Sequence, residues 1–177
     1  MAITRLGGAN AISGVVPVAN GGTGSSTFSP GKILQVVEGT SSTQHEATGS
    51  SDQDIGLSVA ITPSSSSSKV LVTVSFVYSI YQSSSYGSTA QFQLLRGSTA
   101  IITRSGGSNQ DYNVEASALS TNNYATMATQ LNMQILDSPS TTSATTYKVQ
   151  STGISSTRVR SMLNNVRGSI VAYEIGA

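Results

Sequence analysis

The stretch Val70-Leu71-Val72-Thr73-Val74-Ser75-Phe76-Val77-Tyr78 decides the fold class. Val70, Val72, Val74, Phe76 and Tyr78 fall on one side of an extended chain, and Leu71, Thr73, Ser75 and Val77 fall on the other. That is the period of two expected of a strand with one face in a core. The same alternation recurs in Ile55, Leu57, Val59 and Ile61. It returns in Leu131, Met133 and Ile135, whose opposite face carries Gln130, Asn132 and Gln134. Shorter runs at 33–37, 90–95, 99–103, 147–150, 158–163 and 169–175 read as further strands, and helical periodicity is almost absent. The stretch 110–127 stays open between a strand, a loop across the end of a sandwich and a helical turn near Val114 to Leu119.

Turn chemistry separates these runs. Thr62-Pro63 leads into the serines Ser64 to Ser68, read as a surface turn; Arg96-Gly97-Ser98, Ser105-Gly106-Gly107 and Asp137-Ser138-Pro139 follow. Each supplies a proline-set or glycine-permitted φ between strands. Eight or nine short strands at this spacing predict an all-β, antiparallel β-sandwich head. A jelly roll is the natural closure, because it limits exposed strand edges. The predicted head spans residues 31–177, after a Gly- and Ser-rich arm at residues 1–30.

Composition narrows the function. Of 177 residues only 10% are charged and the net charge is +1, so no electrostatic footprint for nucleic acid or an anionic membrane is present. Three of the six arginines, Arg158, Arg160 and Arg167, lie near one another and read as a solvated or inter-subunit feature. No cysteine is present, which excludes disulfides and thiolate metal sites. Neither a signal peptide nor an apolar run of membrane-spanning length is visible. A monomer with so few charges would be poorly protected against self-association, so a regular β pattern in this composition predicts an obligate oligomer.

Catalysis is not predicted. His45 is the single histidine, set in a polar loop, and nothing in the spacing of eight acids singles out a glycosidase-type pair. Asp52-Gln53-Asp54 reads as a solvated acidic turn rather than a Ca²⁺ site. No cofactor and no metal are expected. The tyrosines read differently: Tyr81 and Tyr86 flank Gln82 to Ser85, and Tyr112 and Tyr124 flank another amide-rich loop. Aromatic faces beside amides and hydroxyls suit a receptor-binding surface for a glycan or protein, and packing at a subunit seam is the competing reading.

The arm holds Ile12-Ser-Gly-Val-Val-Pro-Val-Ala-Asn-Gly-Gly-Thr-Gly24, in which Pro17 fixes φ while Gly21, Gly22 and Gly24 reach backbone conformations closed to other residues. This core resembles the joints of bacteriophage tail fibres. Further on, Gly31 to Val37, Gly56 to Pro63 with Lys69 to Val72, Leu95 to Ile101, Leu136 to Thr142 with Tyr147 to Gln150, and Gly168 to Ile175 resemble in the same order a phage tail-fibre C-terminal domain. Such domains are similar to trimeric jelly-roll heads of the tumour-necrosis-factor and complement type. The resemblance implies a homotrimer in the virion, made in the host cytoplasm, with its threefold axis along the fibre. Trimer contacts are then expected from Ile170, Ala172, Glu174 and Ile175, with Glu174 taking one of the clustered arginines as its partner. The arm is expected to dock onto another virion protein through Ile3, Leu6, Ile12, Val15, Val16 and Val18. With Met1 so close to the collar motif, a short fibre fixed directly to the particle is expected, or a head decoration.

Overall fold

In a computed structural model, the described residues are 33–82, 88–103, 113–116, 126–154 and 157–176. By its contacts the chain divides into Met1–Lys32 and Ile33–Ala177. All six apolar residues expected to dock the arm lie outside the described residues.

The second unit is built around β4 (Lys69–Gln82), the strand that the alternating stretch foretold, extended to fourteen residues. Its neighbours in chain order are β1 (Ile33–Ser41), β2 (His45–Thr48), β3 (Gln53–Ile61), β5 (Ser88–Arg96), β6 (Thr99–Ile102) and β7 (Asn113–Ala116). Then come β8 (Thr126–Asp137), β9 (Thr145–Ile154), β10 (Thr157–Ser161) and β11 (Gly168–Ile175). Every pairing is antiparallel. One sheet runs β1-β11-β4-β10-β2 with β8 also on β4; the other runs β3-β9-β5-β6 with β7 also on β5.

Register reduces these eleven strands to eight lines. Lys69 to Ser75 of β4 pair with β11, and Tyr78 to Gln82 pair with β10, so β10 and β11 form one line interrupted by residues 162–167. β1 and β2 form a second such line beside it, and β6 and β7 both lie along β5. Numbering the eight lines in chain order gives sheets 1-8-3-6 and 2-7-4-5, which is the strand order of a jelly roll. The expected fold is therefore present. At 113–116 the segment left open by sequence is a strand.

The core lies between the sheets. Phe92 packs edge-on against Phe76 and Tyr78, with ring centroids 5.4 and 4.9 Å away, the geometry that ring quadrupoles favour. Along one side the sheets nearly touch: a Cβ on Gly39 of β1 would stand 1.9 Å from the Ser58 carbonyl oxygen of β3. Only glycine allows that approach. Across the sandwich, Arg96 of β5 donates to both Asp137 carboxylate oxygens of β8 at 2.8 and 2.9 Å, and the Tyr147 hydroxyl donates to Asp137 at 2.7 Å. Burial, and then this bond to a carboxylate, push the Tyr147 phenol well up from its ordinary value.

Candidate functional site

The outward face of the six-stranded sheet is the surface least explained by folding. Inward positions of β4 are Val70, Val72, Val74, Phe76, Tyr78 and Ile80, so Leu71, Thr73, Ser75 and Val77 point away from the core. Pairing aligns these with outward residues of the neighbouring strands. One row reads Val36, Tyr173, Leu71, Leu136; the next Glu38, Val171, Thr73, Gln134; the third Thr40, Ser169, Ser75, Asn132. The first row is apolar throughout. Among the described residues five large apolar side chains stand exposed, and four of them, Ile33 (56%), Leu34 (51%), Val36 (55%) and Leu136 (52%), gather at this one end.

Beyond the apolar row the face turns to amides and hydroxyls. Thr73, Ser75, Asn132, Gln134 and Ser169 border a shallow depression of about 370 Å³, where Gln130 donates to Ser75 at 2.7 Å. Glu38 brings the charge to these three rows, and Arg167 meets it at 3.1 Å. A contiguous apolar strip beside uncharged hydrogen-bonding groups is the composition of an interface.

The β11 residues expected at a subunit seam sit differently. Ile170, Ala172 and Glu174 are fully buried within the sandwich of their own chain, and Ile175 is half-buried. Alternation leaves Ser169, Val171, Tyr173 and Ile175 as the side of β11 open to a partner. Glu174 does require a partner, but neutral donors take the place of the expected arginine. Gln35 Nε2 donates to Oε2 at 2.6 Å, and the Ser64 backbone N–H and hydroxyl donate to Oε1 at 2.7 and 2.6 Å. Burial disfavours the ionised carboxylate, yet the bonds from Ser64 and Gln35 outweigh it and hold the pKa down at about 2. The Ser68 hydroxyl adds to this without reaching hydrogen-bond geometry.

At the opposite end of the same face, Tyr81 is half-buried on β4, with the Arg158 guanidinium 5.9 Å from its ring centre. Tyr78 is core. Tyr86, Tyr112 and Tyr124, the other candidates for receptor binding, lie outside the described residues. The remaining chemistry does not converge. Asp54 accepts from Lys148 and Gln150, while Asp52 accepts from the Thr152 hydroxyl. His45 is half-buried on β2 rather than in a loop, with Nδ1 unpaired. Among the described residues no three His, Asp or Glu side chains gather as a metal ion would require.

Fold and face together define an all-β jelly-roll domain that presents one largely uncharged sheet surface. No family model matches the sequence, and no curated protein is similar to it in sequence. Solved structures to which the chain is similar are those of the VP2 protein of infectious bursal disease virus. A subviral particle aligns at 15% identity and TM-score 0.34, covering 82% of this chain and 38% of that one. The Gt strain aligns at 15% identity and TM-score 0.36, covering 82% and 37%. A mutant VP2 in derived T=1 particles aligns at 16% identity and TM-score 0.34, covering 81% and 36%. The chain thus spans little more than a third of those proteins' length, and a likeness this distant does not bear on function.

Proposed function

We propose that this protein is a non-enzymatic bacteriophage structural virion protein: a short homotrimeric fibre whose jelly-roll head self-associates and whose N-terminal arm attaches it to another virion protein. The observation that carries the reading is the apolar row Val36, Tyr173, Leu71 and Leu136 on an outward sheet face. The resemblance of the arm to fibre joints and the jelly-roll strand order support it. Fully burying Ile33, Leu34, Val36 and Leu136, each already about half covered, would contribute about 1 kcal/mol per side chain. About 4 kcal/mol per copy is comparable with the lower bound on the cost of association. The amide and hydroxyl rows must therefore pair across the interface as well.

Light scattering on the full chain tests this. The wild type is expected at three times the 18.2 kDa chain mass, and Leu136→Asp combined with Tyr173→Asp is expected to give monomers with an unchanged far-ultraviolet circular dichroism spectrum. A monomeric wild type refutes the assembly. Deleting residues 1–30 should leave a trimer that no longer joins particles.

A second reading, host-surface attachment by the same head, draws on the arginines and tyrosine at the other end of the face. A head decoration with no receptor role is the alternative that lacks such a feature.

A further inference from the structure

Ion pairs in the described head are one to one, with a single exception. Arg96 meets Asp137, Lys148 meets Asp54 and Arg167 meets Glu38. At the far end of the outward face, two guanidinium groups share one carboxylate: Arg160 Nε lies 2.7 Å from Glu46 Oε2, and Arg158 Nη1 lies 3.7 Å from Glu46 Oε1. Among the described residues the site thus holds two cations against one carboxylate, in a chain where charge is scarce.

Register explains how the groups come together. Val159 and Ala47 point into the core, so Arg158 and Arg160 of β10 and Glu46 and Thr48 of β2 point outward. Arg160 stands opposite Glu46; Arg158 stands opposite Thr48 on one side and Tyr81 on the other. Two residues along a strand separate the arginines by roughly 7 Å, a span that one anionic group can bridge. The two side chains remain 52% and 38% exposed. Among the described residues Arg158 approaches an acid at the long distance of 3.7 Å, to Glu46, while its guanidinium lies 5.9 Å from the Tyr81 ring centre. That contact, at the outer range of a cation–π interaction, favours a guanidinium held near the ring, where its N–H donors can meet a planar or tetrahedral anion.

We propose that Arg158 and Arg160, in register with Glu46, Thr48 and Tyr81, form a subsite for the acidic group of a saccharide. The carboxylate or phosphate would take the guanidinium donors now shared by Glu46, and ring hydroxyls would meet Thr48. Tyr81 is then a positioning residue for Arg158. Nucleic acid fits less well, since a backbone groove needs a longer run of cations than two. The inference rests on the attachment reading of the head and names the ligand chemistry of that reading.

The test is isothermal titration of the full chain with methyl glucuronide, glucose 6-phosphate and, as the uncharged control, methyl glucoside. One or both acids should bind, the neutral sugar should not, and raising NaCl from about 0.1 to 1 M should weaken binding as charge screening requires. Which acid binds separates a carboxylated from a phosphorylated sugar. Arg158→Met keeps the apolar stem and should weaken binding at least tenfold. Glu46→Gln removes the internal competitor and should tighten it severalfold, a sign that loss of structure would not produce. Equal binding of acidic and neutral sugars, no binding of either acid, or indifference to both substitutions overturns the proposal. Light scattering on the same samples keeps the readings apart: a trimer that binds no acid sinks the subsite alone, and a monomer that binds sinks the trimeric head alone.

Discussion

Replacing Glu174 by glutamine tests how a carboxylate is held inside the sandwich without a cation. In the wild type both oxygens accept, from Gln35 on one side and from Ser64 twice on the other. Hydrogen bonds to a charged group contribute about 1.5–3 kcal/mol each, and an orphaned buried donor costs about 1–3 kcal/mol. Glutamine keeps one oxygen and turns an NH₂ group toward the remaining donor. Gln35 cannot simply rotate its own oxygen into place, because its Nε2 also donates to the Thr62 carbonyl at 2.7 Å. The expected loss is therefore about 2–4 kcal/mol at pH 7, read from urea unfolding at fixed protein concentration. The pH dependence has a definite sign. Folding lowers this pKa from 4.5 to about 2, so the contribution is complete above about pH 4.5 and is lost as the pH falls toward 2. The gap between wild type and Glu174→Gln should narrow through that window. Equal stability at pH 7, or a gap that stays constant down to pH 2, would refute the account.

Two further substitutions probe the packing. Phe92→Ala removes the ring shared by Phe76 and Tyr78, and an aromatic deletion in a closed core costs about 3–5 kcal/mol; a urea midpoint close to that of the wild type would contradict the description of the core. Gly39→Ala places a methyl group 1.9 Å from a backbone oxygen that belongs to the opposite sheet, where overpacking costs about 3 kcal/mol or more because no flexible side chain can yield. A wild-type melting temperature would show that the two sheet edges are farther apart.

Much of the sandwich is legible in the sequence because each long strand buries one face. β4, β3 and the middle of β8 announce themselves by alternation. β2 does not: in His45-Glu46-Ala47-Thr48 only Ala47 enters the core, so no apolar period exists to be read. The sequence reads Ser64 to Ser68 as a surface turn, and Ser64 to Ser67 are indeed exposed, but Ser64 is also the main partner of Glu174 and Ser68 is buried. Serines carry no polarity signal that separates a solvated turn from a clasp around a carboxylate. The outward apolar row is hidden for a different reason. Val36, Leu71, Leu136 and Tyr173 are far apart in the chain, and only the pairing register brings them into one line.

The distribution of charge bears on the proposed assembly. Among the described residues, Asp137 is engaged with Arg96 of the other sheet, Asp54 with Lys148 of the neighbouring strand in its own sheet, and Glu174 is sealed inside. Glu38 and Arg167 neutralise one another at the margin of the outward face. The arginine excess lies at its far end, which leaves the rows from Val36 to Asn132 almost without the charges that keep sheet faces apart. An isolated copy would therefore expose its least protected surface at the place where the register has concentrated its apolar side chains. The proposed self-association would remove that liability, and the arginine-rich end would stay the most polar part of the same face, open to the proposed ligand rather than to another copy.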